Sequence, residues 1–219
     1  MNLPKGNYYV RNVEKYCSNQ ETRIVSFDNM TSNNLYNGDE WDYYRLSDTV
    51  RGKNFNITRE GIRTKWPNTL IDLFLDKVPE RQNPNKMSIL ASIITEKFPI
   101  QISEPYVAIH LRLGDRFGRW NYPVSFFDKF ELSQFTCHNI ILFCGLHNRH
   151  SMQESLLYVQ EASSILEKKG FNVILRCGNS PDDDFVLMCK ANYFITASNA
   201  GGYSELISDV RKQLLEKDS

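Results

Sequence analysis

The chain has 219 residues, 26 basic against 26 acidic, with 41% hydrophobic and 12% aromatic side chains. That apolar content is enough for a substantial core, and the balanced charge excludes a global field that would hold the chain on nucleic acid or an anionic membrane. With no such field, any anionic ligand has to be held by a local site. No stretch approaches the roughly 18 consecutive apolar residues of a membrane span.

Taken in chain order, the opening "MNLPKGNYYV" has no apolar leader, which predicts a soluble, unexported, cytoplasmic protein. Residues 1–100 are irregular and Asn-rich, with "RIVSF" as a predicted strand and "TLIDLFLDKV" and "MSILASIITEKF" as predicted helices. Trp41, Tyr43 and Tyr44 among Asp39, Glu40 and Asp42 form a cluster suited either to lining a sugar cleft or to packing a surface turn. On the expectation of an unexported chain, the sequons at Asn29 and Asn56 read as chance matches. Pro99 marks the passage into a regular second part, residues 101–219.

There "YVAIHL", "NIILFCG", "FNVILRC" and "NYFITAS" read as buried strands. Between and after them, "PVSFFDKFELSQF", "MQESLLYVQEASSILEKKG", "DDDFVLMCKA" and "GGYSELISDVRKQLLEK" read as amphipathic helices, with Gly170 as a C-cap. Such alternation calls for an α/β fold, a Rossmann-like parallel sheet covered by helices. Cys17, Cys137, Cys144, Cys177 and Cys189 show no CxxC spacing, and buried reduced thiols are expected.

In open α/β sheets ligands bind outside the carboxyl ends of strands, and there the run "YVAIHLRLGD" turns charged. His110 and Arg112 alternate with Leu111 and so share one strand face. Gly114 allows a tight turn, and Asp115 follows it. A guanidinium at the end of a buried strand calls for an anion, either a phosphate or the neighbouring Asp115. After the fourth strand, Ser198, Asn199, Gly201, Gly202 and Ser204 open a helix with small residues and hydroxyls that suit a phosphate, or simply cap it. In "SPDDDF", Ser180 or Asp182 reads as a helix cap, and a carboxylate of Asp183 or Asp184 is a candidate for ribose hydroxyls.

Strand-HxRxGD, then the "DDDF" helix start, then the Ser-Asn/Gly-Gly helix start, resembles the nucleotide-binding half of the α-1,2/α-1,6 and protein O-fucosyltransferase superfamily, whose fold is GT-B. The likeness runs from about Ile89 to Ile207, and "HLRLGD" is its most specific element. It implies an inverting glycosyltransferase without cofactor or metal, moving a deoxy-hexose such as fucose from a nucleotide sugar, GDP-linked in preference to UDP-linked, to a glycan hydroxyl. It places Arg112 on the donor's β-phosphate, His110 beside the donor, Asp183 or Asp184 on ribose or base, and Ser198 to Ser204 on the pyrophosphate. It makes residues 1–100 a reduced acceptor-side domain and residues 101–219 the donor domain, or the chain one module of a larger protein. Two departures stand out: Leu113 where many members carry a second arginine, and "CGLHN" where a Ser-Asp-Asp is common, with His147 or Asn148 as nucleotide contacts. Asp115 is the candidate base for the acceptor hydroxyl, with Asp28, Glu40 and Asp42 as alternatives.

Two rival readings stand beside it. Asp182 and Asp184 form the Asp-x-Asp of a GT-A enzyme that would hold Mn²⁺ or Mg²⁺. A non-catalytic module that binds sugar nucleotide or glycan is the other.

Overall fold

A computed structural model describes residues 46–51, 59–65, 67–78, 84–98, 102–114, 117–118, 120, 121–146, 151–177, 179–199 and 201–215. The predicted strand "RIVSF", the Trp41 cluster, both sequons, Cys17, Asp28, Glu40 and Asp42 lie outside them. Two compact units result. One contains Gln101–Ser180 and Ala191–Ala200; the other contains Asp42–Ile100, Pro181–Lys190 and Gly201–Ser219.

The first unit is an α/β layer on a parallel sheet. Its strands are β1 (Tyr106–Leu113), β2 (Asn139–Leu146), β3 (Asn172–Cys177) and β4 (Tyr193–Thr196), in the order β3-β2-β1-β4, and every pairing is parallel. All four predicted strands are present. Alternation sorts their residues cleanly: Val107, Ile109, Leu111 and Leu113 share a core with Ile140, Leu142, Cys144, Leu146, Val173, Leu175 and Cys177. Helix α5 (Met152–Lys168) brings Tyr158, Val159, Ala162 and Leu166 to that same core, a stripe at helical spacing. It ends in a Schellman motif: Gly170, at φ +91°, donates its N–H to Glu167 O at 2.9 Å, and Phe171 N–H to Leu166 O at 3.2 Å.

One predicted helix has a different form. Residues Val124–Lys129 and Leu132–Gln134 are short 3-10 turns, not an amphipathic α-helix. Phe127 and Phe130 stand three apart, the spacing that a 3-10 turn eclipses, and both are buried with ring centroids 5.8 Å apart. Their contacts run on through Phe126 and Phe135 to Phe171 and Tyr193. Packing of these rings, which have weak helix propensity, decides the local form.

The second unit is helical: α1 (Leu46–Val50), α2 (Arg59–Lys65), α3 (Leu70–Lys77), α4 (Lys86–Lys97), α6 (Pro181–Lys190) and α7 (Gly202–Leu215). Thr69 caps α3, and Asp72 in its first turn accepts Asn68 N–H at 2.9 Å, leaving few donors of that end unmet. Buried Arg211 of α7 donates to Met188 O and Cys189 O at 3.1 and 3.0 Å, placing a cation on the negative end of α6. Cys137, Cys144, Cys177 and Cys189 are buried free thiols. No helix among the described residues is long and apolar enough to cross a membrane.

Candidate functional site

The sheet order decides where a site can form. The chain runs outward from β1 to β2 to β3 and then returns to place β4 on the other side of β1. The reversal between β1 and β4 is a topological switch point, the place where open α/β sheets commonly bind their ligands.

His110 and Arg112 sit on that end of β1, on the face opposite the core shared with α5, and both are half-buried. Register gives their neighbours on the face. His110 lies level with Phe143 of β2 and Thr196 of β4, and Arg112 lies level with Gly145, which contributes no side chain to that row. Arg112 Nε is buried and makes no hydrogen bond, while the residue has an interaction elsewhere in the structure. Gly114 ends the strand at φ +81°, a conformation only glycine adopts cheaply; its N–H reaches Ser155 Oγ at 3.4 Å and its carbonyl accepts Phe117 N–H at 3.0 Å.

The segment after β4 is laid against the segment after β1. Ala197 N–H donates to His110 O at 3.1 Å, Tyr122 N–H to Ala197 O at 3.0 Å, and Asn199 N–H to Trp120 O at 2.8 Å. Asn121 and Ser198 form an antiparallel bridge within this pairing. Ser198 is buried, its hydroxyl 3.2 Å from that of Thr196, whereas Asn199 is exposed. His110, Arg112 and Gly114 thus stand at the end of β1 beside the switch point, and Ser198 and Asn199 follow β4 on its other side. The structure adds Thr196 and Asn121, whose side-chain amide is buried with no hydrogen bond on either atom. The Tyr158 hydroxyl braces the same region by donating to Tyr122 O at 2.9 Å, and burial pushes its pKa up to about 12.

Asp115 and His147 lie outside the described residues. Asp183, Asp184, Gly201, Gly202 and Ser204 belong to the helical unit, where Asp183 and Asp184 stand in the first turn of α6 and the other three open α7. Gly202 has a structural reason to be small: a Cβ there would come within 3.1 Å of Ser47 Oγ on α1. Ser204 is buried and its carbonyl accepts the Ser208 hydroxyl at 3.0 Å.

Ser180 occupies the N-cap of α6 but makes no side-chain capping bond, with Pro181 following as the first helical residue. Asp182 turns instead toward α3 and accepts Leu70 N–H on Oδ2 at 2.9 Å. Burial raises its pKa from an ordinary 3.8 to about 7, opposed by the Leu70 bond and reinforced by the neighbouring charge of Asp183. Asp182 and Asp184 are two apart within a helix and point about 200° from one another, so one metal ion would not be chelated by both.

Arg176 is the residue that the sequence reading passed over. It is 6% exposed, stands one residue before the end of β3, and is level with Phe143 and His110 on their face. The signal was available, since an arginine interrupts an otherwise apolar strand at the place where Arg112 interrupts β1.

Comparison of the chain with protein-family models, with curated proteins and with solved structures finds no match in any of the three.

Proposed function

We propose that the chain is an inverting, metal-independent glycosyltransferase that takes a deoxy-hexose such as fucose from a nucleotide-diphosphate sugar, GDP-linked in preference to UDP-linked, and passes it to a glycan hydroxyl. One observation carries this reading: a half-buried arginine and histidine share a face at the carboxyl end of β1, beside the switch point of a parallel sheet. A permanent guanidinium at that place suits an anion, and its fork suits two oxygens of one phosphate.

In the proposed reaction the acceptor oxygen attacks the anomeric carbon, the glycosidic C–O bond to the β-phosphate breaks, and the electron pair leaves with the nucleoside diphosphate. Charge therefore grows on the phosphate as the bond breaks. Arg112 stabilises that growing charge more than it stabilises the ground state, which is what lowers the barrier. His110, one row back, shapes the donor side, and the Thr196 and Ser198 hydroxyls stand at the neighbouring strand end as hydrogen-bonding groups. Asp115 is the proposed acceptor of the incoming hydroxyl's proton.

Calorimetric titration of GDP, UDP and their fucose and rhamnose conjugates, with EDTA present, tests the reading on wild type and Arg112→Ala. Micromolar binding by one nucleotide family, weakened by about 2 kcal/mol or more in the variant, is expected. Binding that appears only with Mn²⁺ would replace this reading with a metal-dependent one. Binding without sugar transfer to any glycan would leave a sugar-nucleotide-binding module.

A further inference from the structure

We propose that Asn121 receives a vicinal diol of the sugar nucleotide whose phosphate meets Arg112; the inference rests on the glycosyltransferase reading. Alternation along the chain gives Asn121 its place. Ala197 lies in the core shared with α5, so Thr196 and Ser198 on either side of it point to the opposite face, where Thr196 is level with His110. Ser198 carries that face to the next segment, because it stands across an antiparallel bridge from Asn121. The bonds from Tyr122 N–H to Ala197 O and from Asn199 N–H to Trp120 O flank this pair, which makes it the closely spaced kind, with α-carbons about 4.5 Å apart and both side chains on one face. Asn121 thus extends the row of His110, Thr196 and Ser198 past the end of β4.

The state of the amide points to a ligand. Nδ2 and Oδ1 of Asn121 are both shut off from solvent, and neither makes a hydrogen bond among the described residues. An amide left so is a cost to the fold, and the bonds of Trp120 and Tyr122 already fix the backbone on either side without it. The residue as a whole is half-buried, and turning the amide about its own side-chain bonds breaks no hydrogen bond. Its chemistry then selects the group it takes. A phosphate only accepts, and would set Oδ1 against an anion. A vicinal diol satisfies both atoms, one hydroxyl donating to Oδ1 and its neighbour accepting from Nδ2. The proposed ligand carries such diols on its ribose and on its deoxy-hexose.

The test separates those two sources. GDP and GDP-fucose are titrated, with EDTA present, against wild type, Asn121→Leu and Asn121→Ala, and thermal melting is the check on folding. Asn121→Leu gives up no hydrogen bond of the protein and should melt no lower than wild type. Binding should nonetheless weaken roughly tenfold in both variants, as loss of a paired donor and acceptor predicts. A loss on GDP-fucose with GDP unchanged assigns the diol to the hexose, and an equal loss on both assigns it to the ribose. Folded variants that bind both nucleotides as wild type does overturn the inference and leave the reading based on Arg112 intact. If the leucine variant does not fold, Asn121→Ala decides by the same comparison. Wild type that binds neither nucleotide overturns the inference and the glycosyltransferase reading together.

Discussion

The backbone N–H of Leu70, first residue of α3, donates to Asp182 Oδ2 at 2.9 Å, so a carboxyl group from the first turn of one helix caps the start of another. The other oxygen, Oδ1, is buried and makes no hydrogen bond. Asp183 and Asp184 follow on the same helix, and Asp72, held by Arg63 at 3.3 Å, stands in the first turn of α3.

This arrangement predicts a pH-dependent stability. The folded chain keeps the Asp182 proton up to about 7, whereas the unfolded chain releases it near 3.8, so the folded state binds more protons between those values. The contribution is fully present below 3.8 and is lost as pH rises through about 7. Asp182→Asn, which keeps the acceptor and cannot ionise, should remove this component. Urea unfolding of both proteins across that window is the measurement; parallel pH curves would sink the prediction.

Placing an arginine next to Arg112 should fail. Leu113 is fully buried in the core that faces α5, so Leu113→Arg places a charge where no strand position offers it a partner. A loss of more than about 3 kcal/mol is expected. Denaturant unfolding reads it, and a variant as stable as wild type would show that the face assignment of β1 is mistaken.

Gly202 and Ser47 should be energetically coupled. A methyl at residue 202 meets the buried Ser47 hydroxyl at 3.1 Å, closer than an ordinary contact, so Gly202→Ala forces Ser47 to yield. The cost should be about 1 kcal/mol in wild type and smaller in a Ser47→Ala background, although alanine is the better helix former. A double-mutant cycle measures the difference, and additivity would count against the contact.

Strands β1, β2 and β3 were legible because each buries most of both faces and so reads as an apolar run between turn signals, β4 was legible from its β-branched and aromatic residues although it is only half-buried, and the charge at His110 and Arg112 was legible because alternation puts both on one face. By the same rule Arg176 was open to reading. It was absorbed into "FNVILRC" as part of a strand. The size of Gly202 was not legible, since it is set by Ser47, far away in sequence; the glycine pair looked like phosphate-binding backbone when one member makes room for a side chain. The turns at Val124–Lys129 and Leu132–Gln134 misled for a similar reason. Their helical periodicity was real, but the packing of Phe126, Phe127, Phe130 and Phe135 settled their form.

The return of β4 to the side of β1 has a temporal meaning. Strands β1, β2 and β3 pair in the order in which they are synthesised, each beside the one before it. The pairing of β4 with Val107–His110 closes a much longer loop, the slower kind of contact to form, and it cannot begin until the chain has been made past Thr196. Until then, the edge of β1 that carries His110 displays open backbone donors and acceptors, the kind of surface to which another nascent chain can add a strand. The part of the sheet proposed to meet the ligand is thus also the last to be protected during biogenesis.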